Sequence, residues 1–284
     1  MELRQEYESI NLKIWLNISK LPRSSFYEWK EKLEKIDLEE LELIDKMKEI
    51  ISKSKGTYGY RRVTYALKKQ KIIINHKKVL RLMRENELLC KKFHRKNKRY
   101  SSYKGEIGKI SDNLLDRNFR VDKANKVWVS DITEFKIHQS ETKLYLSPIM
   151  DLFNREIISY SISTSPTVAF TNKSLKEALK KLPTNHKLLI HTDQGFHYQH
   201  ISWVKILEEN KIIQSMSRRG NCLDNSPMEN FFGLLKQEIY YGIKYTSVEE
   251  LSKEIERYID WYNNDRIKIK LNGLSPIEYR LQTA

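Results

Sequence analysis

Residues 127–135 read VWVSDITEF, and this stretch decides the fold class of the second half of the chain. β-Branched and aromatic residues dominate it, which is typical of a strand. Two further strand-like runs follow closely, KLYLSPIMDLF at 143–153 and EIISYSIS at 156–163. Three such runs with short connections predict an antiparallel meander.

Beyond the meander the pattern alternates between helix and strand. A helix is expected near Val168–Leu182, ended by Pro183, and HKLLIHTD at 186–193 reads as a short buried strand. SWVKILEEN at 202–210 predicts a helix and KIIQSMS at 211–217 another strand. Antiparallel strands followed by alternating helices and strands predict an α/β domain with a mixed sheet.

The next helix is expected to start inside GNCLDNSPMENFFGLLKQE, residues 220–238. Ser226, Pro227 and Glu229 have the spacing of a helix start with a capping box. On the helical wheel one stripe of side chains is apolar throughout and is expected to be buried. Its members are Met228, Phe231, Phe232, Leu235 and Ile239.

Three carboxylates fall where strands and this helix begin or end. Asp131 lies in the first strand, Asp193 closes HKLLIHTD before the turn Gln194-Gly195, and Glu229 lies in the first helical turn, with thirty-five residues between the last two acids. Converging carboxylates are what a two-metal phosphoryl-transfer site requires, because Mg²⁺ prefers oxygen ligands.

Each of these acids also has a purely structural interpretation. An Asp at a strand end commonly caps a turn, and Glu229 can simply complete the capping box. Other carboxylates compete for a place in such a site, namely Glu134, Asp151 and Asp224. His191, His197 and His200 lie near Asp193, but too few ligands accompany them for a zinc site, so packing or substrate contact is expected.

The positive charge of the chain is concentrated in one segment. The net charge is +15, and residues 51–104 contain 18 Lys and Arg against two acidic residues. This confinement indicates a polyanionic partner, with nucleic acid ahead of a membrane surface or an incidentally basic surface. The chain has no run of eighteen apolar residues, so no membrane span is expected, and a cytoplasmic location follows.

Two short helices within the basic segment suggest a helix-turn-helix. They are expected near Tyr60–Lys69 and His76–Glu87, with Asn75 as the cap of the second and Val79, Leu82 and Met83 facing inward. An ordinary helical pair with a solvated charged face is the alternative. The candidate DNA contacts on these helices are Arg61, Arg62, Lys77, Lys78, Arg81 and Arg84. Upstream, a helical stripe is predicted from Leu38, Leu41, Ile44, Met47, Ile50 and Ile51.

Several of these stretches together resemble one known family. They are SSFYEWK at 24–30, TYGYRRVTYAL at 57–67, VWVSDITEF, HTDQGFHY at 191–198, MSRRGNCLDNSPMENFFGLLKQE at 216–238 and YNNDRIKIKLNGLSPIEYR at 262–280. The chain resembles bacterial insertion-sequence transposases, specifically the second-frame product of the type encoded by two overlapping frames. The catalytic core of that family is akin to retroviral integrases.

The resemblance implies an α/β RNase H-like core preceded by an all-α DNA-binding region. It implies that Asp131, Asp193 and Glu229 bind two Mg²⁺ or Mn²⁺ ions and catalyse DNA strand cleavage and strand transfer. Lys236, two helical turns after Glu229 on the same face, fits a contact with terminal DNA phosphates. A solvated surface lysine is the alternative for Lys236.

Five regions are expected on this basis. They are a helical segment at 1–55, a helix-turn-helix-like DNA-binding region at 56–92, a basic linker at 93–119, an integrase-type catalytic core at 120–240 and a C-terminal helical extension at 241–284. The expected partners are double-stranded DNA, further copies of the chain on that DNA, and an upstream-frame protein or a fusion with it. A non-catalytic DNA-binding regulator and a metal-dependent nuclease without strand transfer are the competing functions.

Overall fold

The computed structural model describes residues 11–93 and 110–283, so most of the expected linker, 94–109, lies outside the described residues. The chain forms two compact units, the first ending at Leu89 and the second beginning at Cys90. In the described residues no helix is long and apolar enough to cross a membrane.

The first unit is helical. Its helices are α1 (Leu12–Ser19), α2 (Arg23–Lys53), α3 (Tyr60–Lys69) and α4 (His76–Glu85). The second half of α2 packs on the short α3–α4 pair, and the buried side chains of this unit include Leu43, Ile44, Met47, Ile50, Val63, Leu67, Val79, Leu82 and Met83. The predicted helical pair, with Val79, Leu82 and Met83 inward, is confirmed.

The stripe predicted on α2 is partly wrong. Leu38 and Leu41 are exposed, whereas Leu43 is buried beside Met47 and Ile50. A 31-residue helix is roughly 46 Å long. Helices α3 and α4 have ten residues each, so the core of this unit reaches only the later turns of α2.

The second unit is built on a mixed six-stranded sheet. The strands are β1 (Val127–Ser130), β2 (Thr133–Lys136), β3 (Lys143–Asp151), β4 (Ile157–Ser163), β5 (Leu189–Thr192) and β6 (Ile213–Met216). Strands β1 and β2 both pair antiparallel with β3, and β4 pairs antiparallel with β3 as well. Strand β5 pairs parallel with β1, and β6 parallel with β5.

VWVSDITEF is therefore two strands rather than one. Ser130 faces Ile149, Thr133 faces Leu146, and the register is the same on both sides of the gap. The residue opposite Asp131 in that register is Pro148, which has no N–H to donate to the ladder. The proline accounts for a break in hydrogen bonding that leaves the alignment of the strands unchanged.

Helices cover both faces of the sheet. They are α5 (Val168–Leu179), α6 (Phe196–Gln199), α7 (Ile201–Glu209), α8 (Ser226–Leu235), α9 (Val248–Asn264) and α10 (Pro276–Thr283). Alternate residues of β1 point to opposite faces, as a strand requires. Val129 joins a core cluster with α8 and α9, and Trp128 joins another with α5 and α7. The predicted α/β core, a mixed sheet flanked by helices, is confirmed.

Several helix boundaries differ from the predictions, and α4 ends at Glu85 rather than Glu87. Helix α5 ends at Leu179, three residues before Leu182. Helix α8 starts at Ser226 itself, and the residue at its N-cap, Asn225, makes no side-chain cap hydrogen bond. The predicted capping box is therefore wrong, although the buried stripe from Met228 to Ile239 is confirmed.

Candidate active site

Asp131 lies in the gap between β1 and β2, directly after the carboxyl end of β1. Its Oδ1 accepts a hydrogen bond from the Ile132 backbone N–H at 2.7 Å. The pKa of the Asp131 carboxyl is raised well above its ordinary value by burial first and next by the nearby charge of Asp193, while Glu229 raises it further. The sheet therefore holds this carboxyl close to both other predicted acids.

Asp193 follows the last residue of β5, which is the parallel neighbour of β1. Its Oδ1 accepts the Gly195 backbone N–H at 2.9 Å, in the turn that leads to α6. Burial raises the pKa of this carboxyl, and the Gly195 hydrogen bond and the nearby His197 act in the opposite direction. A Cβ at position 195 would lie 2.9 Å from the same Oδ1, so only glycine leaves this carboxyl undisturbed.

Glu229 and Lys236 are carried by α8 and the segment that follows it. Both charges act on Asp131: Glu229 raises the pKa of its carboxyl, and Lys236 lowers it. The Lys236 Nζ lies 5.1 Å from the ring centroid of Phe135, in β2. A π-helical turn, Lys236–Tyr240, starts at this lysine, and such turns are frequent at functional sites.

Asp131 and Asp193 line a common cleft of about 300 Å³, and both are half-buried. The cleft is lined by Asp131, Ile132, Glu134, Tyr145, Pro166, Asp193, Gly195, Phe196, His197 and Tyr198. Glu229 is absent from this lining. The structure thus brings the two aspartates to one opening, with the glutamate nearby on α8.

The competing carboxylates each pair with a basic side chain, although Glu134 also lines the cleft. Asp151 is buried and accepts from Arg280 at 2.7 Å, and Glu134 pairs with Lys143 at 3.0 Å. Asp224 is buried and accepts from Arg117 and Arg218, and these guanidinium groups hold its pKa well below the ordinary value. In contrast, burial and neighbouring acids raise the pKa of Asp131.

The histidines have structural partners, as the packing interpretation predicts. His191 is buried, with Nδ1 2.8 Å from Ser215 Oγ and Nε2 3.1 Å from Ser217 Oγ. His197 Nε2 lies 2.6 Å from the Pro166 carbonyl oxygen, and His200 caps α7 through the Ser202 N–H.

Asp131 and Asp193 fit a hard divalent cation by donor type and charge. Carboxylate oxygens are the ligands that Mg²⁺ and Mn²⁺ prefer, and burial beside a second acid disfavours the ionised form until a cation compensates it. Within residues 11–93 and 110–283, no three His, Cys, Asp or Glu side chains converge closely enough to hold an ion.

The polar groups behind Asp131 are not visible in the sequence pattern. Ser130 Oγ donates to the Pro148 carbonyl oxygen at 2.9 Å, and the Tyr198 hydroxyl lies 3.3 Å from the same Oγ. Asn225 Nδ2 donates to the Ser130 carbonyl oxygen at 3.0 Å. Only the spacing of Asn225, one turn before Glu229, could have drawn attention to it.

The predicted DNA contacts in the first unit fall into two groups. Lys77, Arg84 and Arg61 are exposed, and Arg61 Nε donates to the Tyr60 hydroxyl at 3.0 Å. By contrast, Lys78 and Arg81 both bind one carboxylate of α2.

That carboxylate is Glu40, whose Oε1 lies 2.9 Å from Lys78 Nζ and 2.8 Å from Arg81 Nη2. Arg62 donates to the Thr57 carbonyl oxygen at 3.3 Å and lies over the Tyr58 ring. The basic face of α4 is thus partly neutralised by α2.

Three known families together match most of the chain. An "Integrase core domain" family matches residues 121–222, a second family of that description matches 229–283, and an "HTH-like domain" family matches 38–97. An integrase core implies dependence on a divalent metal ion, and the two kinds of domain together imply DNA binding.

Two transposases are similar over more than four-fifths of the chain. The putative transposase InsK for insertion sequence element IS150 of Escherichia coli is 44% identical over 282 residues, covering 99% of this chain and 96% of that protein. The transposase for insertion sequence element IS904 of Lactococcus lactis is 32% identical over 238 residues, covering 84% and 92%.

A solved structure of the HTLV-2 integrase catalytic core domain in complex with magnesium is 18% identical, with a TM-score of 0.42. It covers 55% of this chain and 97% of that one. The transposase relatives do not favour a non-catalytic regulator. The chain belongs to the insertion-sequence transposases, and its integrase core is that of a DDE-type polynucleotidyl transferase.

Proposed function

We propose that Asp131, Asp193 and Glu229 are the catalytic and metal-binding residues of this transposase, and that they hold two Mg²⁺ or Mn²⁺ ions. One observation carries the proposal: Asp131 and Asp193 line the same cleft, and the charge of Glu229 acts on Asp131. The competing acids Asp151 and Asp224 are buried against arginines, which leaves them no role as cation ligands.

In the proposed reaction, water attacks a phosphodiester at a transposon end and breaks the P–O bond to the 3′-oxygen, which leaves a 3′-hydroxyl on one fragment and a 5′-phosphate on the other. That hydroxyl then attacks a phosphodiester of the target DNA, so that one P–O bond forms as another breaks. When bound, divalent cations neutralise charge on the phosphate and activate the attacking oxygen. The protein supplies positioning and electrostatics, as in other phosphoryl transfers.

The carboxyl groups act in their ionised form, which burial opposes at both aspartates and the neighbouring acids oppose at Asp131. The Ile132 and Gly195 N–H groups each hold one carboxyl oxygen, and so fix the direction in which Asp131 and Asp193 point. Lys236, beside Phe135, provides a positive charge next to this acidic site. We assign it to the phosphate that flanks the scissile bond.

We assign recognition of the transposon end to the basic helices of the first unit. Helix α4 presents Lys77 and Arg84 directly, while Lys78 and Arg81 must exchange Glu40 for a phosphate. Arg61 and Arg62 on α3 lie close to tyrosine rings and contribute from the neighbouring helix.

Further partners belong to this proposal. An insertion sequence has two ends to transfer, so we propose that several copies assemble on DNA. We also propose that an upstream-frame protein, or a fusion with it, takes part. Because its substrate is DNA, the protein is expected to act at the bacterial nucleoid in the cytoplasm.

The decisive experiment uses the full chain, a labelled DNA duplex with one transposon end, and a supercoiled target plasmid. The wild-type protein is expected to nick the end and join it to the plasmid when Mg²⁺ or Mn²⁺ is added. Glu229→Gln keeps the size of the side chain and removes its charge, and should abolish both products. Equal activity of the two proteins would overturn the assignment of the site.

Two controls separate the alternatives. Glu254→Gln changes an acid on α9 whose partner is the exposed Arg257, and should leave both products unchanged. Product analysis for joined DNA distinguishes a transposase from a nuclease, which would yield nicked ends alone. End binding without either product in any divalent metal would instead indicate a regulator.

A further inference from the structure

Asn225 immediately precedes α8 and is almost completely buried, with 4% of its surface exposed. Asparagine is among the best N-cap residues because its side-chain oxygen accepts an N–H of the first turn. Asn225 occupies the N-cap position of α8 and makes no such bond. The side chain of Asn225 therefore does not cap the start of α8.

That side chain crosses instead to the sheet. Its Nδ2 donates to the Ser130 carbonyl oxygen at 3.0 Å, and Ser130 is wholly buried. The same peptide group carries the nitrogen of Asp131. The hydrogen bond therefore fixes the backbone on which the Asp131 carboxyl is mounted, in the gap where β1 and β2 have no ladder bond to hold it.

The side-chain oxygen of Asn225 also bears on its role. Asn225 Oδ1 is buried and has no hydrogen-bond partner within residues 11–93 and 110–283. A buried polar atom without a partner is unfavourable, and such atoms in native proteins call for an explanation. The Asn225 side chain neither caps α8 nor uses its Oδ1 as an acceptor. Its Nδ2 donates instead to the residue that precedes Asp131.

The segment around Asn225 is anchored from the other side by its neighbour. The buried Asp224 accepts from the Arg218 N–H at 3.0 Å, from Arg117 Nε at 2.7 Å and from Asn113 Nδ2 at 3.0 Å. The backbone at 224–225 is thereby held between the segment that enters the core and strand β1. Glu229 lies one helical turn further along α8.

We propose that Asn225 is a positioning residue that sets the place of Asp131 relative to Glu229, and hence the affinity of the site for divalent metal. The proposal rests on the proposed function of these carboxylates as metal ligands. Asn225 itself touches neither metal nor DNA in this account. Groups that orient metal ligands commonly change metal affinity or activity by roughly 10- to 100-fold when they are removed.

The test compares Asn225→Ala with a matched control, Asn263→Ala. Asn263 also links a helix to the sheet, since its Nδ2 donates to the Ile157 carbonyl oxygen and its Oδ1 accepts the Ile157 N–H, both at 2.9 Å. It lies on α9 and pairs with edge strand β4, so it shares the chemistry of Asn225 without contacting β1.

Two readouts are measured on the full-length protein. The first is Mn²⁺ binding without DNA, followed by electron paramagnetic resonance of free Mn²⁺ and by the rise in melting temperature that Mn²⁺ produces. The second is the Mn²⁺ concentration that gives half-maximal cleavage of the transposon end. Asn225→Ala should raise both half-saturating concentrations about tenfold and leave DNA affinity unchanged. Asn263→Ala should lower the melting temperature and keep wild-type Mn²⁺ affinity.

Wild-type Mn²⁺ binding by Asn225→Ala, or an equal loss of binding in Asn263→Ala, would overturn the positioning role. An Asp131→Asn arm separates this result from failure of the proposed function. If Asp131→Asn binds Mn²⁺ as the wild type does, both proposals fall. If the wild type binds Mn²⁺ through Asp131 yet cleaves no DNA, only the proposed function falls, and the Mn²⁺ affinity of Asn225→Ala still decides the role of Asn225.

Discussion

Asp131 and Asp193 line one cleft, and the pKa of the Asp131 carboxyl is raised well above its ordinary value by burial and next by the charge of Asp193. An acid with a raised pKa in the folded state opposes folding once the pH exceeds its unfolded value, because the unfolded chain ionises more readily. At neutral pH the ionised Asp131 carboxyl therefore lowers the stability of the metal-free fold at the site where catalysis is proposed.

Asp131→Asn should consequently stabilise the metal-free protein while it abolishes strand cleavage. At pH 7.5 in a chelator, the free energy of unfolding of the variant should exceed that of the wild type, because the variant has no charge to bury at this position. Urea unfolding and the cleavage assay check the two effects. Unchanged or lower stability would show that the two carboxyls do not repel one another in the folded protein.

Asp224→Asn is the matched control, and it should lower the free energy of unfolding rather than raise it. The Arg117 and Arg218 guanidinium groups keep the pKa of Asp224 low, so its ionised form favours the folded state above the unfolded pKa. Loss of that charge should cost about 1.5–3 kcal/mol at pH 7.5. The wild-type contribution should disappear as the pH falls below about 4.

Gly195→Ala should reduce cleavage because the new methyl would lie 2.9 Å from Asp193 Oδ1. The carboxyl must move away, and the rate of cleavage should fall by roughly 10- to 100-fold. Gly233→Ala is the control, since a methyl at that position in α8 meets nothing within 4 Å. It should raise the free energy of unfolding by about 0.5–1 kcal/mol and keep cleavage. A wild-type rate for Gly195→Ala would show that Asp193 tolerates displacement.

His191 should make the core sensitive to mild acid. It is buried between Ser215 and Ser217, and burial lowers its pKa from 6.5 to about 4. Protons then bind the unfolded chain first, so stability is lost as the pH falls from 6.5 towards 4, by about 3 kcal/mol at most. His191→Gln removes this loss, so the difference in stability between wild type and variant should narrow or reverse at low pH. A pH-independent difference in urea titrations would contradict the prediction.

Lys77→Ala and Arg84→Ala should each weaken binding to all DNA sequences. If each residue contacts one phosphate, each substitution lowers the slope of log affinity against log salt by about 1. Glu40→Gln should have the opposite effect on affinity, because it releases Lys78 and Arg81 from their shared carboxylate. Lys180→Ala, an exposed lysine of the core paired with Glu177, should change neither quantity.

The sequence predicts the strands and the buried faces well where hydrophobic periodicity within one segment determines them. The stripe from Met228 to Ile239 follows from helical periodicity alone, and so does the inward face of α4. Asp131 and Asp193 end neighbouring parallel strands, which is why they meet at one edge. The hydrophobic pattern of the sequence therefore predicts the fold and the place of the candidate site in it.

What the sequence leaves open depends on contacts between distant segments. Periodicity cannot show that Leu38 and Leu41 lie beyond the reach of the first core. The gap at Asp131 requires the register that places Pro148 opposite it. Local rules favour Ser226 as the cap, yet the structure places Asn225 there and sends its side chain to Ser130.

The Ile132 amide has a consequence for experiment. Its hydrogen bond goes to the Asp131 carboxyl rather than to a neighbouring strand, so its magnetic environment follows the charge on that group. In a ¹⁵N spectrum this one backbone resonance should shift when the carboxyl is protonated or meets a cation. It would report the charge state of Asp131, the aspartate proposed as catalytic, in solution, without DNA and without turnover.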